Sequence, residues 1–422
     1  MSTPAPGPES LHHHVRPMCG RDPHEAHRVA TPLELLFDLT FATSFSLAAA
    51  QFAHVLAEGH YAAALLGFGF ASFAICWAWI NFSWFSSAYD TDDWLFRVVT
   101  MVQMIGVLIL AIGLPPMFAS IEHGKHPDNS VMVLGYVVMR VAMLFQWLRA
   151  ARQDPNRRRA CLAYAMAISI AQVGWVTQVF LDFSVTVSII LTCTLALIEL
   201  AGPVLAEFKD GGTPWHPHHI AERYSCFAII ALGEGVVGTV ATLSAVVEEQ
   251  GWNMDAAMVC IAGTGLTFGI WWIYYMLPSA PILHSHRSRS FVWGYSQMVL
   301  VAAIVAIGAG LHVAAFFIEH KAHIGPLATV LSVAIPVAVF LGLIYALYYY
   351  LVRSFDLLHI GLLSGTAAVV ALAIAAALSG IDMAICLVIL MLAPVVTVVG
   401  YELLGHRHQA EAVAKEERRA EH

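Results

Sequence analysis

The sequence predicts an all-α integral membrane protein with about twelve transmembrane helices. Three observations predict this class: the composition, the length of the apolar runs, and the distribution of lysine and arginine. Of the 422 residues, 59% are hydrophobic and only 12% are charged, whereas soluble domains average about 25% charged residues. Too few charged side chains remain to cover a globular surface, so most of the chain must face lipid.

Twelve apolar runs are long enough to cross a bilayer. A span needs about 20 residues, because about 30 Å of hydrocarbon is crossed at about 1.5 Å per residue. The predicted spans are 33–57, 61–85, 95–119, 130–150, 159–181, 184–206, 220–246, 253–276, 291–318, 326–351, 357–378 and 383–404. A polar arm (1–31) without a signal peptide is expected before them, and a charged tail (405–422), helical in pattern, after them.

The basic residues test this count, because cytoplasmic loops are enriched in lysine and arginine. With twelve spans, 18 of the 21 Lys and Arg residues fall on the side of the two termini. Lys125 and Lys321 fall on the other side, and Arg140 lies inside a span. A missed or extra helix would mix the two sides. The sequence therefore predicts an even number of spans with both termini in the cytoplasm.

The two halves of the chain carry similar segments. The third span ends with Ala111-Ile112-Gly113 and the ninth with Ala306-Ile307-Gly308, and an Ile-Glu-His sequence follows each. Six spans return to the same side of the membrane. Two repeats, 32–208 and 209–404, are therefore predicted to be related by a pseudo-two-fold axis along the membrane normal. Such repeats are common in transporters and also occur in channels.

Two segments resemble a known family. They are Thr31-Pro32-Leu33-Glu34-Leu35-Leu36-Phe37-Asp38-Leu39 in the first span, and His219-Ile220-Ala221-Glu222-Arg223-Tyr224 followed by Ala231-Leu232-Gly233-Glu234 in the seventh. With Trp79 and Arg140, they resemble the bacterial low-temperature-requirement protein A family over about residues 31–404. This resemblance implies a multi-pass protein of the bacterial inner membrane and brings no settled activity. Phe37-Asp38 is also similar to the Phe-Ser-Asp motif of lysosomal potassium channels built from two six-helix repeats, although the serine is missing.

Ionisable residues inside the spans are the main functional candidates, because each costs about 2.5–3.5 kcal/mol at the bilayer centre. Thr31 and Glu34 match a capping box, so Glu34 is open between helix capping and contact with a ligand or coupling ion. Asp38 lies one turn further on the same helix face. It is open between a structural pair with Arg97 or Arg223 and an ion site.

Arg140 lies near the membrane midplane and requires an acid or several carbonyl oxygens as partners. Glu199 and Glu234 are the partners that match its depth, either in a static bridge or in a site that switches partners. The spans hold more acids than arginines, and an unpaired acid must be protonated or hold a cation, which predicts proton or metal-cation coupling. The candidate substrate- and ion-binding residues are Glu34, Asp38, Asn81, Arg140, Glu199, Glu222, Arg223 and Glu234.

Glycine and proline indicate helix breaks in equivalent spans. Gly113-Leu114-Pro115-Pro116 is predicted to interrupt the third span, and Gly308-Ala309-Gly310 the ninth. Paired breaks are typical of transporter sites, whereas glycines that only pack helices are the alternative.

Tryptophans are frequent near the inner ends of the spans, where an interfacial aromatic belt explains most of them. Asn81 is the polar exception in that stretch of the second span. The tryptophans concerned are Trp77, Trp79, Trp84, Trp94, Trp271, Trp272 and Trp293.

Histidines in two outer loops suggest a metal site as a secondary hypothesis. His123 and His126 follow a glutamate in one loop, and His320 and His323 follow a glutamate in the other. Two-fold symmetry would bring four imidazoles and two carboxylates together, which suits zinc binding or pH sensing. The alternative is that these are ordinary solvated loop residues.

These features favour a secondary transporter of a small solute or ion, coupled to protons, with its site between the halves near Asp38, Arg140 and Glu234. An ion channel is one alternative, and a membrane sensor or scaffold in the cold or envelope stress response is another. An enzyme is not expected, because the sequence has no HExxH motif, no GxSxG motif and no paired intramembrane aspartates.

The expected partners are the lipid bilayer and the small solute or ion, and no cofactor is expected. The formal net charge of −8 argues against nucleic-acid binding. Gly265 and Gly269 have the spacing that lets helices approach closely, within one chain or in a homo-oligomer.

Overall fold

The computed structural model describes residues 15–23, 25, 28–123, 128–181, 185–208, 211–354 and 357–420. The secondary structure of these residues is helical, without β-strands, in fifteen α-helices and three short 3₁₀ or π segments. The α-helices are α1 (Pro32–Ala57), α2 (Tyr61–Tyr89), α3 (Trp94–Ile112), α4 (Leu114–Glu122), α5 (Ser130–Gln153), α6 (Arg158–Phe180), α7 (Val185–Glu207), α8 (Pro217–Gln250), α9 (Met254–Met276), α10 (Ser279–Ser285), α11 (Ser290–Ile318), α12 (Pro326–Val352), α13 (Leu357–Leu378), α14 (Met383–Gly400) and α15 (His406–Ala420).

Within the described ranges, twelve helical stretches are long and apolar enough to cross a membrane. This confirms the predicted number of spans and an all-α, multi-pass membrane protein. Helices α3 and α4 together form the third span, and α9 continues through α10 in the eighth. A π-helical segment, Tyr401–Gly405, joins α14 to α15 in the twelfth, so the tail predicted to be helical is a helix.

Capping residues explain where several helices begin. Thr31 caps α1 with Pro32 in the first turn, and Asp93 accepts the Phe96 N–H at 2.8 Å at the start of α3. Asn253 does the same for α9. Between the caps the chain is apolar, and in lipid only a helix satisfies all its own backbone hydrogen bonds.

Helices α1 and α2 join the two halves of the chain. Helix α1 packs against α2 and α3 in its own half, and against α8 and α11 in the other. Helix α2 also contacts α8 and α11. The seam between α1 and α8 therefore lies where the two halves meet, and its inward-facing side chains are buried.

The break predicted in the third span is confirmed, and the break predicted in the ninth is wrong. Helix α3 ends before Gly113, where an added Cβ would lie 2.3 Å from the backbone nitrogen of Met132. Helix α11, in contrast, is continuous through Gly308 and Gly310. Both of these glycines lie against the backbone of a neighbouring helix, so their role is close packing of helices.

Gly265 and Gly269 also pack within the chain. An added Cβ at Gly265 would meet Met391, and one at Gly269 would meet Pro394, both on α14. The small-residue spacing is therefore used between α9 and α14 of the same chain.

The two ends of the spans differ in charge. The face at which α1 and α3 begin holds Arg16, Arg97, Arg149, Arg353 and Arg407, and we call it the arginine-rich face. Both ends of the described chain lie on this face, as expected for an even number of spans.

Residues 15–23 of the polar arm lie against the arginine-rich face. The Arg16 N–H donates to Asp93 at 3.0 Å, and the Met18 N–H donates to Gln153 Oε1 at 2.6 Å. The Met18 side chain is fully buried. Arg149 donates both to Asp93, at 2.5 Å, and to the Arg16 carbonyl oxygen, at 2.8 Å. Asp93 therefore ties the arm to α3 and α5.

Replacing Gly308 by alanine should destabilise the protein. A Cβ at this position would lie 2.4 Å from backbone atoms of Glu234, so α8 and α11 must move apart, at a cost of about 1–3 kcal/mol. Thermal unfolding in detergent measures this cost. Gly233→Ala is the matched control, because nothing lies within 4 Å of its added Cβ. Equal melting temperatures for the two variants would contradict the packing role.

Docking of the arm should depend on pH through Asp93. Burial alone would raise the pKa of Asp93, but hydrogen bonds from Arg149 and the Phe96 N–H outweigh it and hold this pKa below its ordinary value of 3.8. A lowered folded-state pKa gives stability that is present above pH 3.8 and lost as the pH falls below it.

We expect hydrogen exchange of residues 15–23, relative to the intrinsic rate at each pH, to accelerate in that acidic range. Asp93→Asn should remove the protection at neutral pH as well. Asp92→Asn is the control, because Asp92 pairs with the exposed Arg97 instead. An arm that stays protected in Asp93→Asn would rule out this anchor.

Candidate functional site

A buried ion pair joins α1 to α8. The Arg223 guanidinium donates to both carboxylate oxygens of Asp38, each at 2.7 Å, and both residues are fully buried. The Trp79 indole N–H donates to the same carboxylate at 2.7 Å, and Arg223 also donates to the Ser83 hydroxyl at 3.3 Å. Of the two partners considered for Asp38, the structure selects Arg223.

Glu34 belongs to the same cluster and also caps α1. The Thr31 N–H donates to Glu34 Oε2 at 2.8 Å, and the Glu34 N–H donates to the Thr31 hydroxyl, which confirms the capping box. Glu34 Oε2 also lies 3.1 Å from His219 Nε2. Glu34 and Asp38 are one turn apart on α1 and face His219 and Arg223, one turn apart on α8. We call these four residues the inner ladder.

A second buried ion pair lies within the first half of the chain. Arg140 on α5 donates to Glu199 on α7, and each side chain is only 2% exposed. The Tyr136 hydroxyl donates to Glu199 at 3.0 Å, and the Trp77 indole N–H donates to it at 2.7 Å. Nε and Nη1 of Arg140 are buried without a hydrogen-bond partner among the described protein atoms.

Trp77 and Trp79 are not part of an interfacial belt, so that interpretation is wrong for them. Both are fully buried and donate to different carboxylates. Residues two apart on a helix point about 200° from each other. Helix α2 therefore supplies one indole N–H to Glu199 on one side and another to Asp38 on the opposite side.

Glu234 differs from the buried acids Glu34, Asp38 and Glu199. It is 4% exposed, and its Oε1 accepts a hydrogen bond from the Ser46 hydroxyl on α1 at 2.5 Å. No described lysine, arginine or histidine forms an ion pair with it. Its backbone packs against Gly308 of α11. Glu234 therefore lies where α1, α8 and α11 meet, without a cationic partner in the described chain.

Two other predicted site residues stand apart from these clusters. Asn81 is buried and donates to the Trp77 carbonyl oxygen within its own helix, at 2.7 Å. Glu222 is half-buried and forms no hydrogen bond or ion pair with the described residues. No contact of that kind in the described chain joins the Arg140 pair to Asp38 or Glu234. The mid-span charges thus form three clusters.

The outer-loop histidines do not form a metal site in the described residues, which hold no group of three or more His, Cys, Asp or Glu able to bind a metal. The His123 ring contacts a backbone carbonyl of its own helix at 2.6 Å. His323 pairs with Glu58 at 2.6 Å, and His320 is exposed. His126 lies outside the described residues, so the four-histidine hypothesis stays a prediction.

Six residues of these clusters were absent from the predicted set: Ser46, Trp77, Trp79, Ser83, Tyr136 and His219. His219 had a usable signal, because it precedes Arg223 by the same four residues that separate Glu34 from Asp38. Ser46 has none, since one serine among apolar residues is ordinary in a span.

Removing the Asp38 charge should be far more costly than breaking a surface pair. Asp38→Asn removes the bidentate partner of the buried Arg223 and leaves it only the more distant Glu34 carboxylate, 4.0 Å away; breaking a buried pair in this way costs about 3–5 kcal/mol. Adding Arg223→Met should recover part of that loss. Arg97→Gln, which breaks the exposed pair with Asp92, should cost less than about 1 kcal/mol. The unfolding free energy in detergent measures all three, and a loss in Asp38→Asn as small as in Arg97→Gln would disprove the structural role.

Comparison with known proteins agrees with the resemblance drawn from the motifs. The family described as bacterial low temperature requirement A protein (LtrA) matches residues 29–394. An uncharacterized protein of Rhizobium meliloti (strain 1021) is 25% identical over 252 residues, which are 57% of this chain and 57% of that relative's length. No solved structure matches the chain. The family match contains all three clusters of buried charge, and the chain belongs to the bacterial low temperature requirement A family.

Proposed function

We propose that this protein is a secondary transporter of a small solute or ion, coupled to a proton or another cation bound at Glu234. One observation carries the proposal: Asp38 and Glu199 each have an arginine, and Glu234 has no cationic partner in the described chain. An ionised carboxylate buried in this way costs several kcal/mol. Glu234 therefore holds a proton or a cation, and losing it requires a change of surroundings.

The position of Glu234 suits a coupling site. We infer that 32–208 and 209–404 are six-helix repeats related by an axis along the membrane normal. The order of neighbours supports this inference: α1 packs on α2 and α3, and correspondingly α8 packs on α9 and α11. Ser46 and Glu234 are then on the first helices of the two repeats. Rocking of one repeat against the other would break the hydrogen bond between Ser46 and Glu234 and change the side of the membrane from which Glu234 is accessible.

Between the inner ladder and Glu234, the seam between α1 and α8 is apolar. Phe41 and Phe45 on α1 pack against Phe227 on α8, with ring centroids 6.1 and 5.2 Å apart. All three rings are buried. This aromatic layer separates Glu234 from the inner ladder. It favours a transporter, which opens one side at a time, over a channel with a continuous pore.

We place the arginine-rich face in the cytoplasm of a bacterial inner membrane, because positively charged loops stay inside. Both termini are then cytoplasmic. In this conformation the inner ladder closes the cytoplasmic end of the α1–α8 seam. Two nitrogens of Arg140 have no hydrogen-bond partner among the described residues, so Arg140 is suited to bind an anionic group of the solute or to exchange Glu199 for it.

Transport in sealed proteoliposomes tests the proposal. A solute screen energised by an imposed pH or sodium gradient should find saturable uptake by the wild type. Glu234→Gln should lower gradient-driven accumulation at least tenfold and preserve solute exchange at equilibrium, because only the coupling charge is lost. Glu222→Gln is the control, since it removes an acid from the same helix that has no partner in the described chain.

The outcomes separate the alternatives. Solute-independent flux of protons or potassium that does not saturate would identify a channel. Equal accumulation by Glu234→Gln and wild type, in protein with an unchanged melting temperature, would contradict the assignment of Glu234. The melting temperature also tests occupancy, because a glutamine replaces a protonated glutamate without loss of stability.

A further inference from the structure

A polar cavity of about 380 Å³ lies at the arginine-rich face, between the end of α12 and helix α15. One wall is formed by 352–354, where α12 ends. The other wall is a single stripe of α15, whose lining positions are three or four residues apart and therefore share one helix face. The charged side chains among the lining residues are those of Arg353, Glu411, Lys415, Glu416 and Arg419.

Helix α15 is held in place by protein contacts, some of which are made by the lining residues Glu416 and Arg419. Glu416 is 1% exposed and accepts hydrogen bonds from Arg289 at 2.7 Å and Arg419 at 2.5 Å. Gln409 donates to the Met276 carbonyl oxygen at 2.9 Å. The buried acid of the stripe is therefore already neutralised by two arginines.

The remaining charges leave the cavity positive. Arg353 and Lys415 form no ion pair with any described residue, and Glu411 is the one lining acid of the described chain without a basic partner. Arg353 also ends α12 with φ +52°, a conformation in which glycine is usual. An arginine kept in an unfavourable backbone conformation at the mouth of a cavity points to a role for its guanidinium.

We propose that this cavity binds a phosphate-bearing anion, with the headgroup of an anionic phospholipid as its source. A guanidinium matches phosphate geometry with two parallel hydrogen bonds, and the Lys415 ammonium adds a second charge. Helix α12 leaves the apolar span at Val352, so the cavity lies at the depth of the headgroups. Basic clusters beside a membrane span are typical binding sites for such lipids.

Binding would add a second connection between two elements that Arg289 already joins, since Arg289 donates to the Leu351 carbonyl oxygen of α12 and to Glu416 of α15. A phosphate held by Arg353 on one wall and Lys415 on the other would connect the end of α12 to α15. The backbone of α15 should therefore exchange hydrogen more slowly when the anion is bound. This consequence does not depend on whether the protein transports anything.

Hydrogen exchange of the full-length protein in lipid nanodiscs tests this site. The wild type is compared in phosphatidylcholine alone, in phosphatidylcholine with phosphatidylglycerol, and in phosphatidylcholine with millimolar inorganic phosphate. We expect exchange in 406–420 to slow by up to about thirtyfold with phosphatidylglycerol, as two basic contacts predict. Arg353→Gln combined with Lys415→Gln should abolish the slowing. Arg407→Gln combined with Arg418→Gln should preserve it, because both of these arginines are exposed outside the cavity.

Each result decides the proposal. Slowing by phosphatidylglycerol alone assigns the lipid headgroup, and equal slowing by inorganic phosphate assigns a soluble phosphate to the same site. No slowing in either arm overturns the proposal. So does an equal loss in the two double variants, since that would indicate general attraction of a basic surface. Native mass spectrometry of retained lipid gives a second readout if the cavity variant alters α15 itself.

Discussion

The buried pair between Asp38 and Arg223 is the interaction on which the arrangement of the two halves depends. Both charges are removed from water, and such a pair is tolerable only with full hydrogen bonding. The bidentate geometry and the Trp79 indole supply it. Because this pair fixes α1 against α8, it also sets which residues of the two helices meet further along the seam. Ser46, two turns beyond Asp38, meets Glu234 only when this register is kept.

The surroundings of Glu234 explain how a carboxyl group remains without a basic partner. On one side α11 approaches so closely that only the glycine at 308 fits, which leaves no room for a long cationic side chain. On the other side α1 offers the Ser46 hydroxyl. A hydroxyl can donate to a carboxylate or accept from a carboxylic acid, so the hydrogen bond to Ser46 can form in either protonation state, while the cost of burying the ionised form remains. An arginine in the place of Ser46 would hold Glu234 in its ionised state.

Much of the architecture could be predicted from the sequence, because span length, charge asymmetry and capping are local properties. The twelve spans and the capping box of Glu34 depend on residues close together in the chain. The partners of the buried charges could not be predicted, since depth in the membrane says nothing about which side of a helix faces which neighbour. Arg140 had two acids at its depth, and only the rotation of α7 selects Glu199. Trp79 was wrongly assigned to an interfacial belt for the same reason. Gly308 was wrongly assigned to a helix break, because glycine serves both close packing and helix breaking.

The opposed indoles of α2 limit how this molecule can change shape. Trp77 donates a hydrogen bond to Glu199 and Trp79 donates one to Asp38, from opposite sides of the same helix. Rotation of α2 about its own axis would break both hydrogen bonds at once. Helix α2 is therefore coupled to α1, α5 and α7, which carry Asp38, Arg140 and Glu199. If the two halves rock against each other, α1, α2, α5 and α7 should move together as one block that pivots at the inner ladder.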